Sequence, residues 1–90
     1  PKAYLGEGWR MPTVARIGPY RLYFFSHEPN EPPHVHVDRE SATLKAWLLK
    51  VGLARSRGFR PQEIARILQI VQIHRESLLE AWNDYFGTDH

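Results

Sequence analysis

The chain of 90 residues has room for one domain, because so short a chain can build only a single hydrophobic core. Its 42% hydrophobic and 24% charged residues are typical of globular proteins, and the lack of cysteine excludes disulfides, thiolate metal sites and cysteine nucleophiles. The net charge is +2, yet residues 1–60 hold ten of the twelve basic side chains, which suits either an acidic partner such as nucleic acid or plain solubility.

The first elements in the chain are predicted strands. Residues 1–10 show no periodicity and are expected to be an N-terminal extension or residues added for expression, outside a single domain over residues 11–87 with a tail at 88–90. β-branched, aromatic and alternating residues then predict a four-stranded antiparallel meander over residues 13–17, 20–27, 34–39 and 42–49. Gly18-Pro19 marks the first turn, and the prolines of residues 28–33 predict a rigid loop before the third strand.

A long C-terminal helix is predicted after a basic loop. Residues 50–60 contain four basic side chains, two glycines and no acid, which predicts a loop. Pro61 suits the first helical position and Gly87 the end, so one helix is expected from Pro61 to about Phe86. Such a helix would extend past the sheet, and we expect the N-terminal segment or a second copy to cover its apolar end. The predicted fold class is therefore α+β, with the helix packed on one face of the sheet.

The alternation of side chains along a strand assigns the two faces of the sheet. The face toward the helix is predicted to hold Leu22, Phe24, Val35, Val37, Leu44, Ala46 and Leu48, matched by the helical stripe Ile64, Ile67, Leu68, Val71 and Leu78. The opposite face collects Arg21, Tyr23, Phe25, His27, His34, His36, Thr43, Lys45 and Trp47. This second set combines aromatic rings, bases and imidazoles, and it contains the candidate site.

Two interpretations of that opposite face involve binding. In the first, a symmetric second copy covers the rings of Tyr23, Phe25 and Trp47, which predicts a homodimer. In the second, the face binds nucleic acid, because aromatic rings stack on bases while Arg21 and Lys45 meet phosphates. Arg55 and Arg57 of the basic loop would then widen the footprint.

Two further interpretations use the histidines. His34 and His36 lie two apart on a strand and project to one side, and the preceding loop returns His27 close to them, so the three imidazoles form a candidate zinc or nickel site. Alternatively, His34 and His36 serve as general base and general acid in RNA cleavage without a metal. The residues alone leave all four interpretations open.

Three segments carry a resemblance to a known family. They are E-P-x-x-P-P-H-V-H-V at residues 28–37, R-x-x-G-F at residues 55–59 and H-R-E-x-L-L-E-A-W-N at residues 74–83. With them the chain resembles the domain of unknown function 4160 family, over about residues 11–86. The positions that the motifs carry over are Glu28, Pro32, Pro33, His34, His36, His74 and Trp82.

The resemblance implies a small bacterial or archaeal cytoplasmic protein, of a kind often found beside a second small protein in arrangements that look like toxin–antitoxin pairs. No apolar run approaches the length of a transmembrane helix, so a membrane partner is not expected. The resulting hypothesis is a partner-binding or RNA-binding component that needs no cofactor, with binding favoured over enzymatic activity. The alternatives are a histidine-dependent, metal-independent ribonuclease and a metal-binding protein.

Overall fold

The computed structural model describes residues 13–25 and 30–87. The elements, in chain order, are β1 (Thr13–Ile17), β2 (Tyr20–Tyr23), β3 (His34–Arg39), β4 (Ala42–Trp47), β5 (Gly52–Arg57), α1 (Pro61–Ile73) and α2 (Arg75–Phe86). The five strands form one sheet in the order β1-β2-β3-β4-β5, and every neighbouring pair is antiparallel. The fold is therefore α+β, as predicted. Neither helix in the described part of the chain is long and apolar enough to cross a membrane.

The prediction of four strands is wrong, because Gly52–Arg57 forms β5 within the segment predicted as a basic loop. The side chains of β5 alternate between half-buried and exposed, and the strand lies at the edge of the sheet. An edge strand of this kind lacks the apolar content that marks an inner strand, so composition alone suggests a loop. β4 is also shorter than predicted, since residues 48–51 form the turn before β5. β2 ends at Tyr23, and residues 26 and 27 of its predicted range lie outside the described residues.

The prediction of a single long helix is also wrong, because the helix is interrupted at His74 and forms two helices, α1 and α2. The backbone of His74 leaves the helical region at φ −99° and ψ 13°. Just after the break, the Arg75 guanidinium donates to the carbonyl oxygens of Leu48 (2.8 Å) and Leu49 (2.7 Å), which ties the start of α2 to the turn after β4. No proline or glycine lies at this interruption. The contact beside it joins Arg75 to Leu49, 26 residues earlier in the chain, so local sequence does not predict it.

The apolar end of the predicted helix does not overhang the sheet. The ring of Phe24 packs against Trp82 at 5.3 Å, Tyr85 at 6.3 Å and Phe86 at 6.1 Å between ring centroids. Leu78 and Trp82 are both buried. α2 therefore packs apolar side chains of this end into the core. Cover of this end by the N-terminal segment or a second copy stays a prediction, because residues 1–12 lie outside the described residues.

The core lies between the sheet and the two helices, on the face that the sequence predicts. All seven predicted strand residues are buried: Leu22, Phe24, Val35, Val37, Leu44, Ala46 and Leu48. From the helices, Ile67, Val71 and Leu78 are buried, while Ile64 and Leu68 pack against the core with partial exposure. Because both helices cover the same face, the other side of the sheet, called the outer face below, is separate from the core.

A polar cluster fixes the first turn of α1 to the sheet. Arg39 at the end of β3 donates two hydrogen bonds to the Glu63 carboxylate, at 2.7 and 2.8 Å, and the Tyr20 hydroxyl donates a third at 2.7 Å. These hydrogen bonds, from Arg39 first and then Tyr20, hold the pKa of Glu63 below its usual value. The carboxylate thus joins β2, β3 and α1.

Replacement of Ile67 by Ala should lower the free energy of unfolding by about 2–5 kcal/mol, because the removed atoms leave a cavity in the core. The matched control is Ile73→Ala in the same helix. Ile73 is 76% exposed against 1% for Ile67, so the control should stay within about 0.5 kcal/mol of the parent. Denaturant unfolding followed by circular dichroism measures both, and equal losses would contradict this core.

Replacement of Glu63 by Gln should destabilise the chain at neutral pH and lose its effect in acid. Since the pKa of Glu63 is lower in the folded chain than in the unfolded chain, its contribution is present above the unfolded value. The contribution is lost as the pH falls through the folded value. Denaturant unfolding of parent and variant across acidic pH measures this difference. The control Glu80→Gln removes an exposed carboxylate on α2, and a difference of the same size there would contradict the role of Glu63.

Candidate functional site

The pairing register arranges the side chains of the outer face in rows that cross the sheet. In the first row, Tyr23 pairs with His36, His36 with Lys45, and Lys45 with Arg55. Directly opposite residues on antiparallel strands point to the same side of the sheet. One aromatic ring, one imidazole and two basic side chains therefore lie next to one another across β2 to β5.

A second row runs beside the first and is more polar. It consists of Arg21, Asp38, Thr43 and Arg57 in successive pairs. Asp38 places one carboxylate between basic side chains, and it follows His36 at the next outward position of β3. Sequence reasoning missed Asp38 as a candidate, although the same two-residue alternation that singled out the histidines could have found it.

A β-bulge between β4 and β5 decides where the arginines of β5 lie. Lys45 pairs with Arg55, and the register shift at this point leaves Ala54 as an extra residue in β5. Without the extra residue, Arg55 would pair with Leu44, whose side chain lies in the core. The bulge therefore brings Arg55, and with it Arg57, to the outer face.

The two rows border a pocket of about 640 Å³. It is lined by Tyr23, Phe25, His36, Asp38, Ser41, Thr43, Leu44, Lys45, Arg55, Ser56 and Arg57. Six predicted site residues are thus brought together, namely Tyr23, Phe25, His36, Lys45, Arg55 and Arg57. Arg21, Trp47 and His34 do not line it, and the remaining polar lining residues were not among the predicted site residues.

Three rings in mutual contact form one wall of the pocket. Tyr23 and His36 lie nearly parallel, with ring centroids 5.3 Å apart, and Phe25 meets His36 edge-on at 4.5 Å. Tyr23 and His36 are only 4% and 3% exposed, so their ring faces are taken up within the chain. Phe25 keeps partial exposure, which makes it the ring of this wall that a ligand can reach.

The phenol of Tyr23 is held neutral in this wall. Its hydroxyl donates to Oδ1 of Asp38 at 3.0 Å, and the Arg21 guanidinium lies over its ring, 4.5 Å from the centroid. Burial raises the pKa of Tyr23 to about 12, and the negative charge of Asp38 acts in the same direction. Tyr23 therefore acts as a hydrogen-bond donor that orients Asp38 at physiological pH.

Of the three basic side chains that line the pocket, one forms an ion pair and two are exposed. Lys45 is buried, and its Nζ lies 2.5 Å from Oε1 of Glu31 and 5.0 Å from the ring centroid of Trp47. Arg55 and Arg57 are exposed, and within residues 13–25 and 30–87 neither has an ion-pair partner. The charge that can attract an anionic ligand is therefore concentrated on β5.

His34 lies next to His36 but in a different environment. Their ring centroids are 5.2 Å apart, yet His34 is fully buried and its ring contacts Trp82 of α2 at 5.0 Å. Its Nδ1 donates to the carbonyl oxygen of Pro32 at 2.8 Å, which requires a hydrogen on that nitrogen. The predicted histidine pair is thus split between the core and the pocket.

The predicted metal site with His27, His34 and His36 stays a prediction. His27 lies outside the described residues. Among the residues that the structure describes, no three His, Asp or Glu side chains come close enough together to hold an ion. A nearby carboxylate, that of Glu31, has Oε1 3.8 Å from Nδ1 of His34 and 2.5 Å from Nζ of Lys45.

Comparison with known proteins gives one match. The sequence model of a family described as "Domain of unknown function (DUF4160)" matches residues 20–83. No curated protein and no solved structure matches the chain significantly. The matched range contains β2 to β5, all of α1 and every residue that lines the pocket.

Proposed function

The chain belongs to the domain of unknown function 4160 family, and we propose that it binds single-stranded RNA on the outer face of its sheet without cleaving it. The observation that carries this proposal is the pocket itself. It combines exposed arginines with a partly accessible ring along one face of the sheet. β-sheets that bind single-stranded nucleic acid use the same two features: cationic side chains contact the phosphates, and aromatic rings stack on the bases.

The phosphate contacts are assigned to β5. Arg55 and Arg57 are two residues apart, so their Cα atoms are about 6.6 Å apart along the strand, and both side chains project from the same face. Because both are exposed and unpaired among the described residues, they attract phosphates at no cost in existing ion pairs. Lys45 lies deeper and is already paired with Glu31, so its role is to keep that part of the pocket polar.

The base contacts are assigned to Phe25 and Trp47. Both rings are half-buried, whereas Tyr23 and His36 are buried and hold Phe25 in place from the side. A base stacked on an exposed ring gains binding free energy without a sequence requirement, which suits a module of low specificity.

Binding is favoured over cleavage by the position of the histidines. General acid–base cleavage needs two groups within hydrogen-bond reach of the scissile phosphodiester. His34 is fully buried and donates to Pro32, and His36 is 3% exposed within the ring wall. Neither imidazole is placed to exchange protons with a bound RNA strand.

The setting of this activity is part of the same proposal. Family resemblance implies a cytoplasmic protein that works beside a second small protein in a toxin–antitoxin-like pair, and RNA binding by one member fits such a pair. The predicted homodimer also stays a prediction. Tyr23, one of the rings that a second copy was expected to cover, is already buried within the single chain.

Replacement of Arg55 and Arg57 by Ala should weaken binding to a short single-stranded oligoribonucleotide and reduce its salt dependence. Each lost phosphate contact should make the slope of log K against log salt less steep by about 0.7. Fluorescence anisotropy across a salt series measures both quantities. The matched control is Lys50→Ala, which removes one exposed charge from the turn before β5, away from the pocket lining.

Two outcomes would contradict the RNA proposal. One is a parent protein that shows no affinity for the oligoribonucleotide at low salt. The other is binding whose salt slope changes as much in the Lys50→Ala control as it does for each arginine. Either result would show that the outer face is not the phosphate-binding surface.

Labelled RNA incubated with the protein should stay intact, because the two histidines are buried and hydrogen-bonded or stacked. Gel electrophoresis over a time course measures this, with His34→Gln and His36→Gln variants in parallel. Cleavage by the parent that disappears in both folded variants would replace the binding function by a histidine-dependent ribonuclease.

A further inference from the structure

Among the described residues, the outer edge of β5 has no neighbouring strand. β5 is the last strand of the sheet and pairs only with β4 in the part of the chain that the structure describes. An edge strand presents a row of N–H and C=O groups, half of which point away from the sheet. Such a row is able to accept one more strand from another chain.

The charged side chains along this edge are all positive. Arg55 and Arg57 are both exposed, while the intervening Ser56 is half-buried and pairs with Leu44 of β4. A strand added beside β5 would place its own alternate side chains directly next to the two arginines. The charge pattern of β5 therefore determines which strands fit.

The arginines of β5 oppose a second copy of this chain at the edge. Antiparallel pairing of β5 with another β5 around a two-fold axis at Arg55 or Ser56 would place arginines of the two copies directly opposite each other. Like charges in adjacent cross-strand positions oppose pairing, and basic side chains on edge strands prevent self-association in this way. The occupant must instead carry the opposite charge.

We propose that the edge of β5 binds an extended acidic segment of a different protein by strand addition. Asp or Glu at every second position of that segment would lie beside Arg55 and Arg57, and the backbone groups would continue the ladder. The backbone ladder supplies affinity and the alternating carboxylates supply specificity. This proposal rests on the edge and its charges, so it holds whether or not the outer face binds RNA.

The test uses capped synthetic heptapeptides. The probe is Thr-Glu-Val-Glu-Val-Glu-Thr, and its partner of equal composition has the three glutamates in succession. Isothermal titration calorimetry should show the alternating peptide binding at least tenfold more tightly. Hydrogen exchange followed by NMR should show added protection at the amides of β5.

Charge reversal provides the matched variants. The double variant Arg55→Glu with Arg57→Glu should lose at least tenfold in affinity for the glutamate peptide and gain affinity for the same peptide with lysines in place of glutamates. Lys50→Glu, in the turn before β5, should bind the glutamate peptide like the parent. Both arginines are exposed, so the double variant should fold, and thermal unfolding checks this.

A measurement on the parent protein alone keeps the test decisive if the double variant does not fold. Methylation of the peptide's backbone nitrogens at one set of alternate residues should abolish binding, and methylation at the other set should be tolerated. Absence of binding by the alternating peptide would overturn the proposal. Equal binding of the peptide with three successive glutamates would also overturn it, as would added protection from hydrogen exchange outside β5. The arginines would then serve only to prevent pairing at this edge.

Discussion

The register between neighbouring strands is the constraint on which both the core and the outer face depend. Because side chains alternate along a strand, a shift of one residue would exchange the buried set for the outward set. β3 shows this most clearly, since Val35 and Val37 are buried against the helices while His36 between them faces the other way. The bulge at Ala54 obeys the same constraint, because it moves the β5 register by one residue at the point where charged side chains begin.

Two polar contacts keep both helices on one face and leave the outer face separate. At one end of α1, Glu63 accepts hydrogen bonds from Arg39 and Tyr20 of the sheet. At the start of α2, Arg75 donates to the carbonyl oxygens that follow β4. Apolar burial supplies most of the driving force for such packing, whereas these directional bonds fix where each helix begins on the sheet.

Some polar side chains of the outer face have hydrogen-bond or ion-pair partners within the chain, and others are exposed to solvent. Tyr23 with Asp38 and Lys45 with Glu31 form internal pairs, so these side chains give the pocket a fixed, polar shape. Arg55 and Arg57 have no such partners in the described part of the chain, and they lie between the pocket and the free edge of β5. The attraction for an anion is therefore strongest at that border, whether the anion approaches over the face or along the edge.

Local periodicity is enough to predict the α+β class, the first strands, the two faces of β2 to β4 and the apolar stripe of the helix. It also identifies six of the side chains that line the pocket. Periodicity does not reveal that residues 52–57 pair as a strand, that the helix is interrupted at His74, or that His34 is buried against α2 and does not line the pocket. Each of these depends on contacts between distant residues: β4 with β5, Arg75 with Leu48, and His34 with Trp82. Periodicity reports which way a side chain points, but not what meets it there.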